Sequence, residues 1–348
     1  MVEACARGGG RILLLACIEK VLRGEDLSAE EAKSAMREIM EGRADEIQTA
    51  AFLTALRMKG ETASEISAFA SVMRELALKI HPNVEKCVDV CGTGGDALNT
   101  FNISTASAFV TACFVPVAKH GNRSVTSKCG SADVLEALGV NLFAEPQKIK
   151  ESIEKIGIGF MFAPAHHKAM KNVADVRKRL GFRTVFNILG PLTNPANATH
   201  QLIGVFSADL TEKIAEVLRI LGLKRALVVH GSPGIDEVSI CGKTKVSMLA
   251  DGEIRTFFVA PEDFGFSAAS PEEIAGGSVE ENARMLRAVL AAEDEGARRD
   301  VVLLNAGAAI FAAEEADSLE EGVEMAKDAL ESGQALRKLD EFVKFNAQ

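Results

Sequence analysis

The residues best suited to chemistry lie in one stretch, residues 119–128, which reads Lys-His-Gly-Asn-Arg-Ser-Val-Thr-Ser-Lys. Three cationic side chains, a histidine and a row of hydroxyl and amide groups surround a single glycine there. The stretch follows an apolar run, residues 115–118, that has the pattern of a buried strand. A dense set of donors at the end of a strand is what a polyanionic ligand requires. The sequence therefore predicts a binding site for a polyanion.

A second candidate for anion binding is the glycine-rich stretch 92–97, Gly-Thr-Gly-Gly-Asp-Ala, which follows the apolar run 87–91. It satisfies the pattern G-x-G-x-x-A, but a dinucleotide site also needs an acidic residue ~20 positions later. No Asp or Glu lies between Ala97 and Ala132, so we exclude dinucleotide binding. Glycine N–H groups can still face an anion without an intervening Cβ. Two such loops predict a phosphorylated substrate.

A helix is predicted to begin near Ala106, with Asn102 or Ser104 as its N-cap. The positive end of that helix would then lie at the same anion site.

Asp236 and Glu237 are adjacent carboxylates that follow the turn-forming residues 230–234. Hard oxygen ligands of this kind suit Mg²⁺, which binds carboxylates, waters and substrate phosphates. Alone, the pair would be interpreted as solvated turn residues. Beside two anion-binding loops, it predicts a magnesium site that joins an acidic protein surface to an acidic ligand.

Helices alone are predicted for the first eighty residues. Ser28 and Thr62 each begin a capping box ahead of an amphipathic run, and Asp45 is expected to cap the helix between them. Apolar residues follow Thr62 at helical spacing as far as Ile80, and Pro82 is expected to end the run.

Beyond Pro82, short apolar runs alternate with helical patterns, which predicts an α/β domain with a largely parallel sheet. A charged helix within residues 165–180 interrupts this alternation. Its cations, including Arg177, are interpreted by default as residues on a solvent-exposed face of that helix. The predicted strands are residues 87–91, 115–118, 159–162, 202–206, 226–230 and 238–241.

The bulk composition limits the classes of function. A chain of 348 residues is long enough for about two domains. No apolar run is long enough to predict a membrane span. A net charge of −10 disfavours binding to nucleic acids and anionic membranes. Seven scattered cysteines without a C-x-x-C motif indicate reduced thiols and a cytoplasmic protein.

Taken together, the segments resemble the anthranilate phosphoribosyltransferase family. The stretches 119–127 and 183–195 are specific to that family, whereas 92–96 alone is not. The resemblance implies a small helical domain, residues 1–82 with 165–194, and a larger α/β domain, residues 83–164 with 195–348. The implied fold is shared with pyrimidine nucleoside phosphorylases. The matching segments are residues 92–96, 99–105, 119–127, 130–133, 176–177, 183–195 and 230–237.

The family transfers the 5-phosphoribosyl group from phosphoribosyl pyrophosphate to the amine of anthranilate, the second step of tryptophan biosynthesis from chorismate. The resemblance also implies two Mg²⁺ ions per subunit, bound by Ser104, Asp236 and Glu237, and a homodimer joined through the helical domain. It implies that Gly92, Asn122 and Arg177 position anthranilate, and that His120 and His167 line its path. No general base is implied. The residues implied to hold phosphoribosyl pyrophosphate are Gly92, Gly95, Asp96, Thr100, Asn102, Ile103, Ser104, Thr105, Lys119, His120, Gly121, Asn122, Arg123, Ser124, Val125, Thr126, Ser127 and Ser131.

The chain departs from the family pattern at four places. Ala97 stands where glycine is common, Lys168 stands where proline is frequent, and Thr126 replaces a usual serine but keeps the hydroxyl. The segment 113–116 is one residue shorter than usual, which affects the loop ahead of a predicted strand.

Three other functions remain open on the sequence. A pyrimidine nucleoside phosphorylase would share the fold, but residues 122–123 and 183–195 speak against it. A non-catalytic paralogue that binds nucleic acid would need a basic face and a degraded metal pair, whereas Asp236 and Glu237 are both present. An enzyme acting on a different aromatic amine is compatible with Arg177, because that arginine specifies a carboxylate and not a ring.

Overall fold

The computed structural model describes residues 11–95, 98–124 and 128–347. It divides the chain into two compact units, one made of the residues up to Leu78 with His166–Thr193, the other of Lys79–Ala165 with the chain from Asn194 onward. Among the predicted site residues, Asp96, Val125, Thr126 and Ser127 lie outside the described residues, as does Ala97. No helix in the described part of the chain is long and apolar enough to cross a membrane.

The helices and strands follow one another in a helical first part and an alternating second part. The helices are α1 (Arg11–Leu22), α2 (Ala29–Met40), α3 (Glu46–Lys59), α4 (Ala63–Leu76), α5 (Ile103–Thr111), α6 (Ser131–Ala137), α7 (Pro146–Ile156), α8 (Ala163–His166), α9 (Lys171–Leu180), α10 (Phe186–Leu189), α11 (Leu210–Ile220), α12 (Val279–Leu290), α13 (Ala297–Ala312), α14 (Leu319–Glu331) and α15 (Gln334–Asn346). The strands are β1 (Val88–Gly92), β2 (Val117–Gly121), β3 (Ile158–Phe162), β4 (His200–Gly204), β5 (Arg225–Gly231), β6 (Thr244–Ala250) and β7 (Glu253–Val259).

The predicted helix starts in the helical unit are confirmed. Ser28 and Thr62 both form complete capping boxes, and the Asp45 carboxylate accepts the N–H of Gln48 at 2.8 Å. Each cap satisfies backbone donors that the first helical turn cannot pair internally. The apolar face of α2 is buried, so local capping and packing specify the same helix.

The predicted end of α4 is wrong, because the helix stops at Leu76 and not near Ile80. Ala77 is already extended, with φ −72° and ψ 148°. The Leu78 N–H donates to the carbonyl of His166 at 2.8 Å, outside any helix. Ile80 is nevertheless buried. Its apolar side chain therefore continued the helical spacing in the sequence, although its backbone lies outside the helix.

The α/β unit is built on a seven-stranded sheet in the order β3-β2-β1-β4-β5-β6-β7. The five strands from β3 to β5 pair in parallel, and β6 and β7 add antiparallel at one edge. This confirms the predicted α/β fold with a mostly parallel sheet. In the core, helices such as α5 and α13 pack against the sheet, where most of their apolar residues are buried.

The sixth predicted strand, residues 238–241, does not form. Its backbone groups bond to side chains instead: the Val238 N–H donates to Asn305 and the Ser239 N–H donates to Thr244. The hairpin β6–β7 was missed, although Asp251-Gly252 is a typical two-residue hairpin turn. Both turn residues have positive φ, 52° and 77°, which Asp and Gly adopt at low cost.

A topological switch point lies between β1 and β4. The chain proceeds from β1 to β2 and β3 on one side of the sheet, and β4 leads to β5 on the other. In open α/β sheets, ligands bind in the crevice beyond the carboxyl ends of strands at such a point. Gly92 and Gly204 are paired in register at that end, so the fold marks this place for a site.

Candidate functional site

Glycines at the ends of the central strands let one loop cross the switch point. A Cβ on Gly204 would lie 1.5 Å from the Asp236 carbonyl oxygen, and a Cβ on Gly92 would lie 2.2 Å from the Asp236 carboxylate. A Cβ on Gly231 would lie 2.5 Å from Ser239. Real Cβ atoms do not approach so closely, so these glycines bring the acidic pair down onto the ends of β1 and β4.

The glycine-rich loop contacts the acidic pair directly. The Gly94 N–H donates to the Asp236 Oδ2 at 2.7 Å. Gly94 and Gly95 have φ values of 68° and 80°, a left-handed conformation that explains the glycines at both positions. The structure therefore brings together two motifs that the sequence separates.

The acidic pair fits a hard divalent cation. Asp236 and Glu237 are each 9% exposed, so the pair lies at the boundary between core and solvent. Within the described ranges no cluster of three or more His, Cys, Asp or Glu could enclose a metal. A pair of carboxylates that leaves positions for water and phosphate oxygens is the donor set that Mg²⁺ prefers.

Lys119 is a buried residue in the middle of β2, because that strand continues to Gly121 and does not end at Ala118 as predicted. Its Nζ donates to the Val90 carbonyl at 2.5 Å and to the Ser104 Oγ at 3.2 Å. Burial lowers the pKa of Lys119, and the charges of Asp89 and Glu237 act against that shift. The predicted residues Lys119, Ser104 and Glu237 are thus within electrostatic reach of one another.

Asp89 organises the same region and was not singled out from the sequence. It is fully buried, accepts the His120 N–H at 3.1 Å and accepts from the Asn194 amide at 2.8 Å. Asn194 also donates to the carbonyl of Ala118 at 2.8 Å, which ties β1 to β2. Burial raises the pKa of Asp89. A carboxylate in the middle of an apolar strand was the signal that could have identified it.

The helix behind the site begins at Ile103 and not near Ala106, with Asn102 as its N-cap residue. Ser104 is therefore inside the helix and is not its cap. The Asn102 side chain does not cap the helix either, because it donates to the Cys129 carbonyl at 3.1 Å and accepts from Asn282 at 3.0 Å. Ile103 is 1% exposed and packs in the core.

Three further predicted residues, Thr100, Thr105 and Ser131, make contacts between neighbouring segments. The Thr105 Oγ1 donates to the Ser131 Oγ at 3.0 Å, and Thr100 forms an isolated bridge with Ala275. Gly130 allows the loop after β2 to pack closely, since a Cβ there would lie 2.3 Å from the Ser124 nitrogen.

Arg123 is engaged by carboxylates of its own unit. Its guanidinium contacts Asp133 at 2.9 Å and Glu136 at 2.7 Å, and it lies 5.7 Å from the ring centroid of Phe162. These carboxylates raise the pKa of Arg123. The neighbouring Asn122 is exposed beyond Gly121.

In the helical unit, Arg177 differs from the other cations of α9. It stacks over Phe186, with 5.3 Å from the guanidinium carbon to the ring centroid, and burial lowers its pKa. Arg179 is exposed and pairs with Glu46 at 2.7 Å. The default interpretation of a solvated helix face thus holds for Arg179 and fails for Arg177. An arginine partly desolvated on an aromatic ring is well suited to bind a carboxylate.

His167 is buried, as are its neighbour His166 and the cysteine Cys129. The His166 Nδ1 lies 2.7 Å from the Leu78 carbonyl. His167 is buried, which lowers its pKa to about 4. Cys129 is also buried, and burial raises the pKa of its thiol to about 11. A thiol whose pKa is raised by burial is not activated, so we interpret Cys129 as a structural residue.

Two family models match the chain. Residues 84–336 match the α/β domain of a glycosyl transferase family, and residues 15–77 match its helical bundle domain. An anthranilate phosphoribosyltransferase of Acetivibrio thermocellus is 53% identical over 96% of both chains. The chain belongs to the anthranilate phosphoribosyltransferase family. This confirms the family predicted from the sequence. A member of the family from Methanocorpusculum labreanum is 54% identical over 95% of this chain and 97% of its own.

Solved structures of the anthranilate phosphoribosyltransferase family have the same architecture. The enzyme from Thermus thermophilus matches with a TM-score of 0.91 at 44% identity, covering 95% of this chain and 99% of its own. The enzyme from Saccharomyces cerevisiae, in complex with PRPP and Mg, matches with a TM-score of 0.89 at 28% identity, covering 97% and 98% of the two chains.

Proposed function

We propose that this protein transfers the 5-phosphoribosyl group from phosphoribosyl pyrophosphate to the amine of anthranilate, giving N-(5-phosphoribosyl)anthranilate and pyrophosphate. The observation that supports this best is the contact between the glycine-rich loop and Asp236 at the switch point, in a chain 53% identical to an enzyme of that name. This site combines anion-binding backbone with hard oxygen ligands, which a diphosphate substrate and its metal require.

The proposed site for phosphoribosyl pyrophosphate surrounds Lys119. Its buried ammonium offers a localised positive charge at low dielectric, where it interacts strongly with developing negative charge on the leaving pyrophosphate. The N-terminus of α5 adds its dipole. The guanidinium of Arg123 is already paired with Asp133 and Glu136. We therefore propose that Arg123 contributes by holding its loop in place for the substrate. The other proposed contacts are Gly92, Gly95, Asp96, Thr100, Asn102–Thr105, His120–Asn122, Ser124–Ser127 and Ser131.

Two Mg²⁺ ions per subunit are proposed, with Ser104, Asp236 and Glu237 as their protein ligands. A structure of the Saccharomyces cerevisiae enzyme contains PRPP and Mg, which supports the use of this ion. When bound, Mg²⁺ neutralises the pyrophosphate and makes it a better leaving group.

Anthranilate is proposed to bind through its carboxylate to Arg177, with Asn122 and Gly92 placing the ring and amine. A structure of the yeast enzyme holds 4-fluoroanthranilate. The anomeric carbon develops oxocarbenium-like charge as pyrophosphate leaves, and the aromatic amine attacks from the opposite face with inversion. The amine needs positioning more than activation, so we assign no general base. His120 and His167 are proposed to line the path of anthranilate.

The experiment that tests the function follows the loss of anthranilate fluorescence on addition of phosphoribosyl pyrophosphate and Mg²⁺, with EDTA as control. We expect turnover that EDTA abolishes. Phosphorolysis of thymidine or uridine under the same conditions tests the phosphorylase alternative, and binding to nucleic acid at low salt tests the non-catalytic one. Replacing anthranilate by other aromatic amines tests acceptor choice. Absence of anthranilate turnover by folded protein would contradict the proposal.

A homodimer through the helical unit is also proposed. Ile47 and Met58 on α3 are each 82% exposed, and Leu22 on α1 is 68% exposed. Exposed apolar side chains that form a contiguous patch are typical of surfaces that bind another protein, and we propose that these three contribute to such a patch. Light scattering should give a dimer mass for the native protein and a monomer mass for Ile47→Glu/Met58→Glu. The proposed compartment is the cytoplasm, where reduced cysteines persist.

A further inference from the structure

We propose that Asn305 on α13 is a positioning residue for the metal-binding carboxylates Asp236 and Glu237, an inference that rests on the proposed function. Asn305 acts on the backbone of Val238, the residue that directly follows Glu237, and through that backbone on the direction of the carboxylates.

The contact is a two-point clamp. The Asn305 Oδ1 accepts the Val238 N–H at 2.9 Å, and the Asn305 Nδ2 donates to the Val238 carbonyl at 2.8 Å. The same Nδ2 donates to the Val301 carbonyl at 2.8 Å, which fixes the orientation of the amide on its own helix. Asn305 is fully buried, so all of these bonds are shielded from water. The side-chain amide thus replaces the neighbouring strand that residue 238 lacks.

The loop is held at its other side by a backbone bridge. The N–H of Gly231 donates to the Ile235 carbonyl at 2.9 Å, and the N–H of Ile235 donates to the Gly231 carbonyl at 2.9 Å. Asp236 and Glu237 are the only residues between Ile235 and Val238. Both ends of this two-residue segment are therefore fixed, which limits the directions that the carboxylates can take.

A buried side-chain amide destabilises a protein interior unless its hydrogen-bonding groups are paired. An unpaired amide in an apolar environment is destabilising, so a helix facing a sheet normally presents apolar residues. The neighbours of Asn305 on α13, such as Leu304 and Ala308, are apolar and buried. An asparagine whose Oδ1 and Nδ2 both bond to Val238 is explained by the need to fix that backbone. Partners that orient metal ligands typically contribute about 10- to 100-fold to metal affinity.

The test compares Asn305→Ala and Asn305→Ser with Asn346→Ala in the full-length protein. Asn346 is a matched control because its amide is also buried but donates to Phe342 and Ser152, which belong to α15 and α7 and not to the acidic loop. Binding of Mn²⁺, used in place of Mg²⁺, is followed by the EPR signal of the free ion with inorganic pyrophosphate present. Thermal melting records the loss of stability of each variant.

We expect Asn305→Ala to weaken Mn²⁺ binding about tenfold or more and Asn305→Ser to weaken it less. Asn346→Ala should lower the melting temperature similarly and leave Mn²⁺ binding within about twofold, since it acts on stability alone. If Asn305→Ala does not fold, the serine variant carries the same expectation at smaller amplitude. Native Mn²⁺ affinity in both Asn305 variants, or equal weakening in Asn346→Ala, would overturn the inference.

The same experiment separates this inference from the proposed function. Native protein that binds Mn²⁺ and pyrophosphate but consumes no anthranilate would contradict the reaction and leave the positioning role supported by the binding data. Native protein that is active while Asn305→Ala binds Mn²⁺ normally would contradict the positioning role alone. Native protein that binds no Mn²⁺ would overturn both the metal site and the role of Asn305.

Discussion

The backbone N–H of Gly94 donates to the carboxylate of Asp236 at 2.7 Å, across 142 residues of sequence. One motif would bind phosphate through backbone donors, and the other would bind a cation through oxygen. Their contact means that a ligand approaching either motif meets both. A magnesium–diphosphate ligand combines both requirements, and the fold places the two motifs at the switch point between β1 and β4.

Replacing Gly204 by alanine should displace the acidic loop. The added Cβ would lie 1.5 Å from the Asp236 carbonyl, so the loop must move by more than an atomic radius. We expect Gly204→Ala to lower turnover by about two orders of magnitude and to destabilise the protein by about 1–3 kcal/mol. Gly296→Ala is the control, because its nearest neighbour would lie 3.5 Å away. Steady-state kinetics with a Mg²⁺ titration measures the turnover of both variants. Equal losses of turnover in Gly204→Ala and Gly296→Ala would contradict the close approach of Asp236 to Gly204.

Lys119→Met should remove a buried positive charge while keeping the aliphatic stem. We expect kcat/KM for phosphoribosyl pyrophosphate to fall about 100-fold, because an electrostatic donor inside a dry site is worth this much. Lys338→Met is a matched control, since Lys338 also donates to a backbone carbonyl, that of Ile156 at 2.7 Å, away from the site. It should cost about 1 kcal/mol of stability with native kinetics. Native kcat/KM in Lys119→Met would exclude a role in substrate binding.

Arg177→Gln should act on anthranilate alone. A charge-assisted hydrogen bond to a carboxylate is worth about 1.5–3 kcal/mol, so the KM for anthranilate should rise roughly 10- to 100-fold. The KM for phosphoribosyl pyrophosphate should stay unchanged. Arg179→Gln removes a cation two residues away that is exposed and paired with Glu46, and its kinetics should be native. If both variants behave alike, the carboxylate is bound elsewhere.

Stability should decrease below neutral pH because His167 is buried as a neutral ring. Burial lowers its pKa from 6.5 to about 4. Between these values the unfolded chain binds a proton that the folded chain does not, so the free energy of unfolding falls as the pH drops through this window. The loss for one such group is about 3 kcal/mol when complete near pH 4. Burial also lowers the pKa of His166, which acts in the same direction.

The measurement is urea unfolding of the native protein and His167→Gln between pH 7 and pH 4. The variant should lose less stability than the native protein over this range, whereas His81→Gln, at an exposed position, should follow the native curve. If the free energy of unfolding falls equally with pH in the native protein and in His167→Gln, His167 does not take up a proton on unfolding, and the prediction is wrong.

Local signals allowed the helix starts of the helical unit and the parallel strands to be predicted, whereas the start of α5 was predicted three residues too late. Caps such as Ser28 and Thr62 act through bonds within three residues, so the sequence contains all the information needed. The end of α4 and the absence of a strand at 238–241 depend on distant partners, namely His166 and Asn305. Periodicity cannot report a bond to a residue far along the chain.

The candidate site shows the same division. Lys119 and the acidic pair were identified because charge and turn chemistry are visible in the sequence. The roles of Asp89 and Gly204 come from pairing between strands, which places a buried carboxylate under His120 and a glycine under Asp236. Neither role can be inferred without the register of the sheet.

The most direct test of the account measures pyrophosphate release and anthranilate consumption together, for the native protein and for Asp236→Ala/Glu237→Ala. The adjacent exposed carboxylates Glu262 and Asp263 provide the matched double-alanine control. We predict that the native and control proteins release one pyrophosphate for each anthranilate consumed in the presence of Mg²⁺, and that EDTA or loss of Asp236 and Glu237 abolishes both. Undiminished turnover without the acidic pair, or no turnover by the native protein, would contradict the central claim.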